Sequence, residues 1–306
     1  MPENAPKHYI NGNEISGGRL VTLLDRALDL QAGRPLEGDD ALTGKSVALI
    51  FEKPSTRTRV SFEVGVAELG ATPVVLRGDE MQLSRGESVE DTARVMSRYV
   101  DAIVIRSGSH ENVVKLGENA SVPVVNALTP LFHPCQALAD LLTLKQRFGG
   151  LDGLRIAYVG DGNNVARSLA VAGSLTGVEV VVAAPAGYQL EGDAPAILTD
   201  DPVAAVHGAD AIYGDVWVSM GDEETADQRR ADLAPYRIDS DLLSAAKKET
   251  IVMHCLPAHP GEEITAEVLY GERSAVWDQA ENRLHAQKAL LEYLLSESHG
   301  TDRTSS

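Results

Sequence analysis

The chain has few of the residues that would staple it or anchor it. Two cysteines among 306 residues cannot build a disulfide framework, and a reducing compartment is the simpler setting. No apolar run reaches the roughly 18 residues that a membrane span requires. The opening MPENAPKHYI has no basic segment followed by an apolar one, so it is not expected to act as a secretory signal. These absences lead to the expectation of a soluble, cytoplasmic protein. Lysine is scarce as well: only eight of the 27 basic residues are lysines, against 45 Asp plus Glu, for a formal net charge of −18. That balance excludes a general nucleic-acid or anionic-membrane partner, since both are held by clustered Lys and Arg. A lysine-poor acidic surface fits solubility in concentrated salt, where screening is short-ranged. An ordinary acidic cytosolic protein is the other reading. Hydrophobic residues make up 43% of the chain, enough for a sizeable core and too many for global disorder.

Short apolar runs recur at Ser46–Phe51, Thr72–Leu76, Ala102–Ile105, Val122–Asn126, Arg155–Val159, Glu179–Ala183, Ala211–Tyr213 and Thr250–Met253. Helical periodicity fills most gaps, as at Ser61–Leu69, Ser88–Tyr99, Ala137–Phe148 and Val165–Leu175. Val/Ile/Ala-rich strands alternating with helices predict an α/β protein with parallel sheets flanked by helices. The turn-rich stretch Phe148-Gly149-Gly150-Leu151-Asp152-Gly153 marks the best boundary. It predicts two domains, 1–148 and 149–279. An amphipathic C-terminal helix at 280–298 would return to the first, burying Leu284, Ala289, Leu290, Tyr293 and Leu294.

Ligands of open parallel sheets bind at the carboxyl ends of strands. There Phe51 runs into Glu52-Lys53-Pro54-Ser55-Thr56-Arg57-Thr58-Arg59. Ser55 is a suitable N-cap, and the free amides and dipole of the following helix make an anion site. Three hydroxyls interleaved with two arginines suit a phosphate; a capped surface helix with arginines paired to Glu63 or Glu87 is the plainer alternative. Arg106 ends another strand, and His133-Pro134-Cys135-Gln136 opens a helix. His133 could donate to a carbonyl oxygen and Gln136 could read an amide, while Cys135 reads as packing.

Phe51–Glu63 (FEKPSTRTRVSFE) with His133–Gln136 (HPCQ) resembles the carbamoyl-phosphate site of the carbamoyltransferases that act on ornithine and aspartate. The resemblance continues in order through Asp161–Ala166 (DGNNVA), Asp215–Gly221 (DVWVSMG), His254–Pro257 (HCLP) and Gln279–His285 (QAENRLH), covering nearly the whole chain. The DxxxSMG and HCLP segments match the ornithine pattern. An anionic Asp215 suits an ammonium, and no arginine in that loop awaits a second carboxylate.

The resemblance implies transfer of a carbamoyl group from carbamoyl phosphate to L-ornithine, giving L-citrulline and phosphate, with no metal and no organic cofactor. Both directions, arginine biosynthesis and citrulline breakdown, would use one site. The phosphate would be held by Ser55, Thr56, Arg57, Thr58 and Arg106, and the carbonyl oxygen polarised by Arg106, His133 and Thr58. Gln136, the Leu256 carbonyl and Arg283 would grip the carbamoyl nitrogen. Asn164, Asp215, Ser219 and Met220 would bind ornithine, with Asp215 and Cys255 flanking its amine. The catalytic set is then Arg57, Arg106, His133, Asp215 and Cys255. The family's basic unit is a homotrimer, or a multiple of trimers, in which Gln82 of a neighbour reaches the phosphate and Glu87 orients Arg57.

Two rivals stand beside this reading. Gly160-Asp161-Gly162 follows a strand as a dinucleotide fingerprint would, but the G-x-G-x-x-G spacing and the acidic residue ending the next strand are lacking. An effector-binding relative without activity is the other, and it would not need Arg57, Arg106, His133 and Cys255 together.

Overall fold

The computed structural model describes residues 8–34, 41–81, 86–219, 221 and 223–296. In chain order the helices and strands are α1 (Gly17–Ala32), β1 (Ser46–Phe51), α2 (Thr56–Glu68), β2 (Thr72–Arg77), α3 (Val89–Met96), β3 (Ala102–Arg106), α4 (His110–Asn119), β4 (Val124–Leu128) and α5 (Pro134–Phe148). There follow β5 (Arg155–Val159), α6 (Asn164–Thr176), β6 (Glu179–Ala183), β7 (Ile197–Thr199), α7 (Pro202–Val206), β8 (Ala211–Gly214), α8 (Ala226–Leu233), α9 (Ser240–Ser244), β9 (Ile251–His254), α10 (Ala266–Leu269) and α11 (Val276–Ser296).

The chain forms two compact units, one of residues up to Leu138 and from Arg283 onward, the other Ala139–Asn282. The change of unit falls inside α5 and α11, ten residues before the expected 148/149 boundary in the first case. A glycine-rich turn ends a helix, but a helix can pass its two halves to different cores, and composition does not record that.

The first unit carries a four-stranded sheet in the order β2-β1-β3-β4, every pair parallel. The expected strand runs match its strands to within two residues. β1 and β3 are buried along nearly their whole length, as strands covered on both faces require. Ala48, Ile50, Ile103, Ile105, Val113 and Leu116 belong to one core cluster. The part of α11 from Arg283 packs here, as expected: Lys288 donates to Glu68 of α2 at 2.7 Å and Arg26 of α1 pairs with Glu292 at 2.8 Å. Leu284, Ala289, Leu290 and Leu294 are buried, whereas Tyr293 is half-buried, its hydroxyl receiving Arg19 Nη1 at 2.9 Å.

The second unit carries a five-stranded, all-parallel sheet in the order β7-β6-β5-β8-β9. Its core gathers Ala157, Val159, Val181, Ile212, Val252 and Val276. Between β5 and α6 the chain turns through Gly160–Asn163. At Gly162 a Cβ would stand 2.6 Å from the Leu190 amide nitrogen and 2.8 Å from the Tyr188 carbonyl oxygen, so only glycine lets this turn lie against 188–190. In both units the chemistry-bearing segments leave the carboxyl ends of strands: β1, β3 and β4 in the first, β5, β8 and β9 in the second.

Candidate functional site

In the first unit α2 begins directly after the β1 turn. Ser55 occupies the N-cap position with extended backbone (φ −158°), yet its side chain makes no capping hydrogen bond. Its Oγ instead receives Arg106 Nη1 at 3.3 Å. Ser55 thus holds the N-cap position without capping through its hydroxyl, and the first-turn amides of α2 are left without a side-chain acceptor from it. A cleft of about 710 Å³ opens beside this turn, lined by Ser55, Thr56, Arg59, Val60 and Arg77 among others. Arg59 is about half exposed and pairs with Glu63 at 3.4 Å, so for Arg59 the surface-pair alternative holds.

Arg106 is buried enough that its guanidinium is pushed down to about 10, by desolvation first and then by the positive charges of Arg283 and Arg57. It stays charged near neutrality and held among like charges, an arrangement that an arriving dianion relieves. Arg283, only 5% exposed, donates Nη1 to Gln136 Oε1 at 2.7 Å and Nη2 to Thr58 Oγ1 at 3.0 Å. Thus α2, α5 and α11 deliver Thr58, Gln136 and Arg283 to one point. His133 is 5% exposed and holds its ring well below the ordinary imidazole value, through desolvation and then Arg283 and Arg106. It is neutral near pH 7 and has one N–H to donate. Cys135 is fully buried, its thiol pushed up to about 12 by that burial, and its Sγ donates to the Asn126 carbonyl at 3.4 Å. It is packing, as its sequence context predicts.

The second unit's cluster has the opposite sign. Asp215, 7% exposed, receives the Val216 amide at 2.8 Å and Cys255 Sγ at 2.9 Å on Oδ1, and Asn163 Nδ2 at 2.7 Å on Oδ2. Asn163 caps α6, its Oδ1 receiving the amides of Val165 at 2.8 Å and Ala166 at 3.3 Å, and the Tyr158 hydroxyl at 3.1 Å. The Tyr158 hydroxyl is held well above its ordinary value by burial, then by the charges of Asp215, Cys255 and Asp161. It is therefore a donor at working pH. Tyr213 stacks on Tyr158 with ring centroids 5.5 Å apart. Asp140 Oδ1 receives the Tyr213 hydroxyl at 3.2 Å and Gln279 Nε2 at 2.7 Å, and Gln279 Oε1 receives the His254 amide at 2.8 Å.

Cys255 and Leu256 follow β9. Leu256 has φ +56°, a left-handed conformation that costs a branched side chain energy and persists only where neighbours enforce it. His254 supplies that restraint: its Nδ1 accepts the Leu256 amide at 2.9 Å, while Nε2 lies 3.3 Å from buried Glu263. Asn164 is the first residue of α6 and Ser219 lies in the loop after β8. Trp217 in that loop gives its carbonyl to Arg229 Nε at 2.6 Å, and the same guanidinium pairs with Asp161. Gln82 and Met220 lie outside the described residues.

Sequence reasoning missed Asn163, His254, Glu263 and Arg229. The first was legible as the Asn at the N-cap of a helix that follows a strand; the other three act through loop geometry that spacing does not encode. Among the described residues, His259, Glu262 and Glu263 bring possible metal-ligating atoms within 4.8 Å of one another. Glu262 pairs with Arg230 at 3.1 Å, and Glu263 receives the His259 amide at 2.5 Å.

Residues 7–146 match the aspartate/ornithine carbamoyltransferase carbamoyl-P binding domain, and residues 152–294 match the Asp/Orn binding domain of that family. Ornithine carbamoyltransferase from Acidothermus cellulolyticus is 52% identical, covering 96% of this chain and 98% of its own. The structure of ornithine carbamoyltransferase from Pyrococcus furiosus superposes with a TM-score of 0.91 at 44% identity, covering 97% of this chain and 99% of that one. The Thermus thermophilus enzyme gives 0.88 at 45% identity, covering 95% and 99%. With two parallel-sheet units matched by both domains of the family model and relatives about half identical over nearly the whole chain, the chain belongs to the aspartate/ornithine carbamoyltransferase family.

Proposed function

We propose that this protein is an ornithine carbamoyltransferase, which transfers the carbamoyl group of carbamoyl phosphate to the side-chain amine of L-ornithine and releases L-citrulline and phosphate. One observation carries the choice of acceptor: the loop after β8 presents a buried carboxylate, Asp215, held by neutral donors and a thiol. A carboxylate so placed attracts an ammonium and repels the second carboxylate of aspartate.

In this reading the first unit binds the donor substrate. Ser55, Thr56, Arg57, Thr58 and Arg106 hold the phosphate, with Gln82 contributed by a neighbouring subunit. Arg106, neutral His133 and Thr58 donate to the carbonyl oxygen and stabilise the charge it acquires in the tetrahedral intermediate. Gln136 Oε1, held in place by Arg283 Nη1, accepts from the carbamoyl NH2. In the second unit Asn164, Ser219 and Met220 bind the amino-acid end of ornithine, and Asp215 with Cys255 faces its side-chain amine. That amine, with a pKa near that of lysine at roughly 10.4, first passes a proton to the Asp215 carboxylate it faces and so becomes nucleophilic. Because Cys255 donates to Asp215, the carboxylate is the group facing the ammonium, and the thiol sets its orientation. The amine lone pair forms the N–C bond; the intermediate then collapses with cleavage of the C–O bond to phosphate, and the nitrogen's second proton leaves with it. Orientation of both substrates supplies much of the rate.

The proposal extends to a homotrimer, or a multiple of trimers, working in the cytoplasm. Both cysteines are free, and no helix among the described residues is long and apolar enough to cross a membrane. Citrulline formation with ornithine, putrescine and aspartate as competing acceptors, across a salt series, tests the function. Ornithine should dominate, and activity persisting at high salt would assign the −18 charge to salt adaptation. Preferential carbamoylation of aspartate or putrescine would overturn the assignment. Mixed Arg57→Gly and Gln82→Ala subunits should regain activity in hybrids if sites are shared.

A further inference from the structure

We propose that Asn163 is a positioning residue for the acceptor half of the reaction: it locks the Asp215 carboxylate in the rotation that receives the ornithine side-chain amine. The inference rests on the function proposed above.

An isolated aspartate beside a flexible loop rotates about its terminal torsion, which is broad and roughly two-fold. Asp215 is not isolated. Its Oδ1 is held by Val216 N at 2.8 Å and Cys255 Sγ at 2.9 Å, so one edge is fixed by its own loop and by the segment after β9. Its Oδ2 is held by Asn163 Nδ2 at 2.7 Å, from the turn after β5. The two edges together set the plane of the carboxylate and so the direction of its remaining lone pairs.

The Asn163 amide is itself fixed. Oδ1 receives Val165 N, Ala166 N and the Tyr158 hydroxyl, three donors that leave no choice of which end is oxygen. Nδ2 must therefore point at Asp215. One side chain thus performs two separable jobs: its oxygen caps α6, and its nitrogen orients the carboxylate. Around Asp215 the ionisable neighbours are Cys255 after β9, Tyr158 on β5, Asp161 in the following turn, and Tyr213 on β8 with Asp140 of α5 behind it. His254 turns its ring to Leu256 and Glu263 instead.

The two jobs are split by substitutions that keep the cap. Ser and Asp cap helices about as well as Asn, so Asn163→Ser and Asn163→Asp preserve the structural role. Asn163→Ser loses the donor to Asp215; Asn163→Asp loses it and sets a second carboxylate against the first. Carbamoyl-phosphate dissociation constants should stay near the parent value in both, and the thermal midpoint should stay near it in Asn163→Ser, where no like charge is introduced. The kcat/KM for ornithine should fall about 10- to 100-fold in Asn163→Ser, as expected for loss of a hydrogen bond to a charged group, and further in Asn163→Asp. In Asn163→Asp alone the acid limb of the ornithine kcat/KM profile should move to higher pH, because two facing carboxylates retain a shared proton. Parent-like kcat/KM in either variant would overturn the proposal. So would equal losses for both substrates accompanied by a lowered thermal midpoint, which would leave Asn163 as a helix cap alone. Failure of the parent enzyme to form citrulline from ornithine is read separately in the acceptor competition, and would refute the function rather than this role.

Discussion

The two units solve opposite electrostatic problems with the same architecture. Each is a parallel sheet whose strand ends open into helix starts. In the first, cations gather: half-buried Arg106 and buried Arg283 around neutral His133, with Thr58, Gln136 and Ser55 as neutral acceptors. In the second, a buried anion gathers neutral donors: Asp215 with the Val216 amide, Asn163 and Cys255. A site that keeps like charges together is unfavourable until its counter-charge arrives, so binding energy is stored as desolvation and repulsion. In the function proposed above, the charge in each unit is complementary to its substrate: cations for a phosphate dianion in the first, a carboxylate for an ammonium in the second.

That contrast can be broken by mutation. The largest effect is expected from Arg57→Gly, which should weaken carbamoyl-phosphate binding and lower transfer about 10³-fold, since Arg57 is an exposed cation close enough to Arg106 to push its pKa down and would give a phosphate a charge-assisted contact. Saturation with carbamoyl phosphate at parent concentrations would contradict it. Asp215→Asn is its counterpart in the second unit, expected to cost about 10²- to 10³-fold in kcat/KM for ornithine while calorimetric binding of carbamoyl phosphate is unchanged. Equal weakening of both substrates would erase the division of labour. Cys255→Ala should reduce turnover by about 10-fold, because the thiol orients the carboxylate rather than accepting the proton itself. Unchanged turnover across pH would remove Cys255 from the chemistry.

A gentler test concerns protonation. Burial holds His133 well below the ordinary imidazole value, so its folded-state pKa is lower than its unfolded one. The stability this shift contributes is fully present above the unfolded value of roughly 6.5 and declines as pH falls below it. NMR titration of the imidazole should show no inflection near that value; an inflection there would mean a charged, exposed ring and a different route to carbonyl polarisation. The smallest effect lies away from the chemistry. Glu68→Ala should leave the activity intact but destabilise the first unit by about 2 kcal/mol in denaturant unfolding, less than for a fully buried pair because the carboxylate is partly exposed.

The sheets were legible because parallel strands are continuous apolar runs, and their observed limits fall within two residues of the expected ones. β7 escaped because it has only three residues, two of them half-exposed edge positions. Helix α1 escaped although Leu20, Leu23, Leu24, Ala27 and Leu30 repeat at helical spacing along it; that signal was present and unweighed. In the site, clusters contiguous in sequence were readable, as at Ser55–Thr58. Contacts such as Arg283 to Thr58, 225 residues apart, come only from folding α11 onto the first unit. Ser55 stands at the N-cap as expected, but what its hydroxyl does was not legible: it receives a guanidinium from Arg106, 51 residues away.

Lysine is rare in this chain, and one of the eight, Lys288, is completely enclosed on α11, its ammonium fixed to Glu68. An amine-acylating reagent can reach that nitrogen only when α11 lifts from α2. The labelling rate of Lys288, followed by mass spectrometry on the intact enzyme, is therefore a built-in clock for the opening of the first unit.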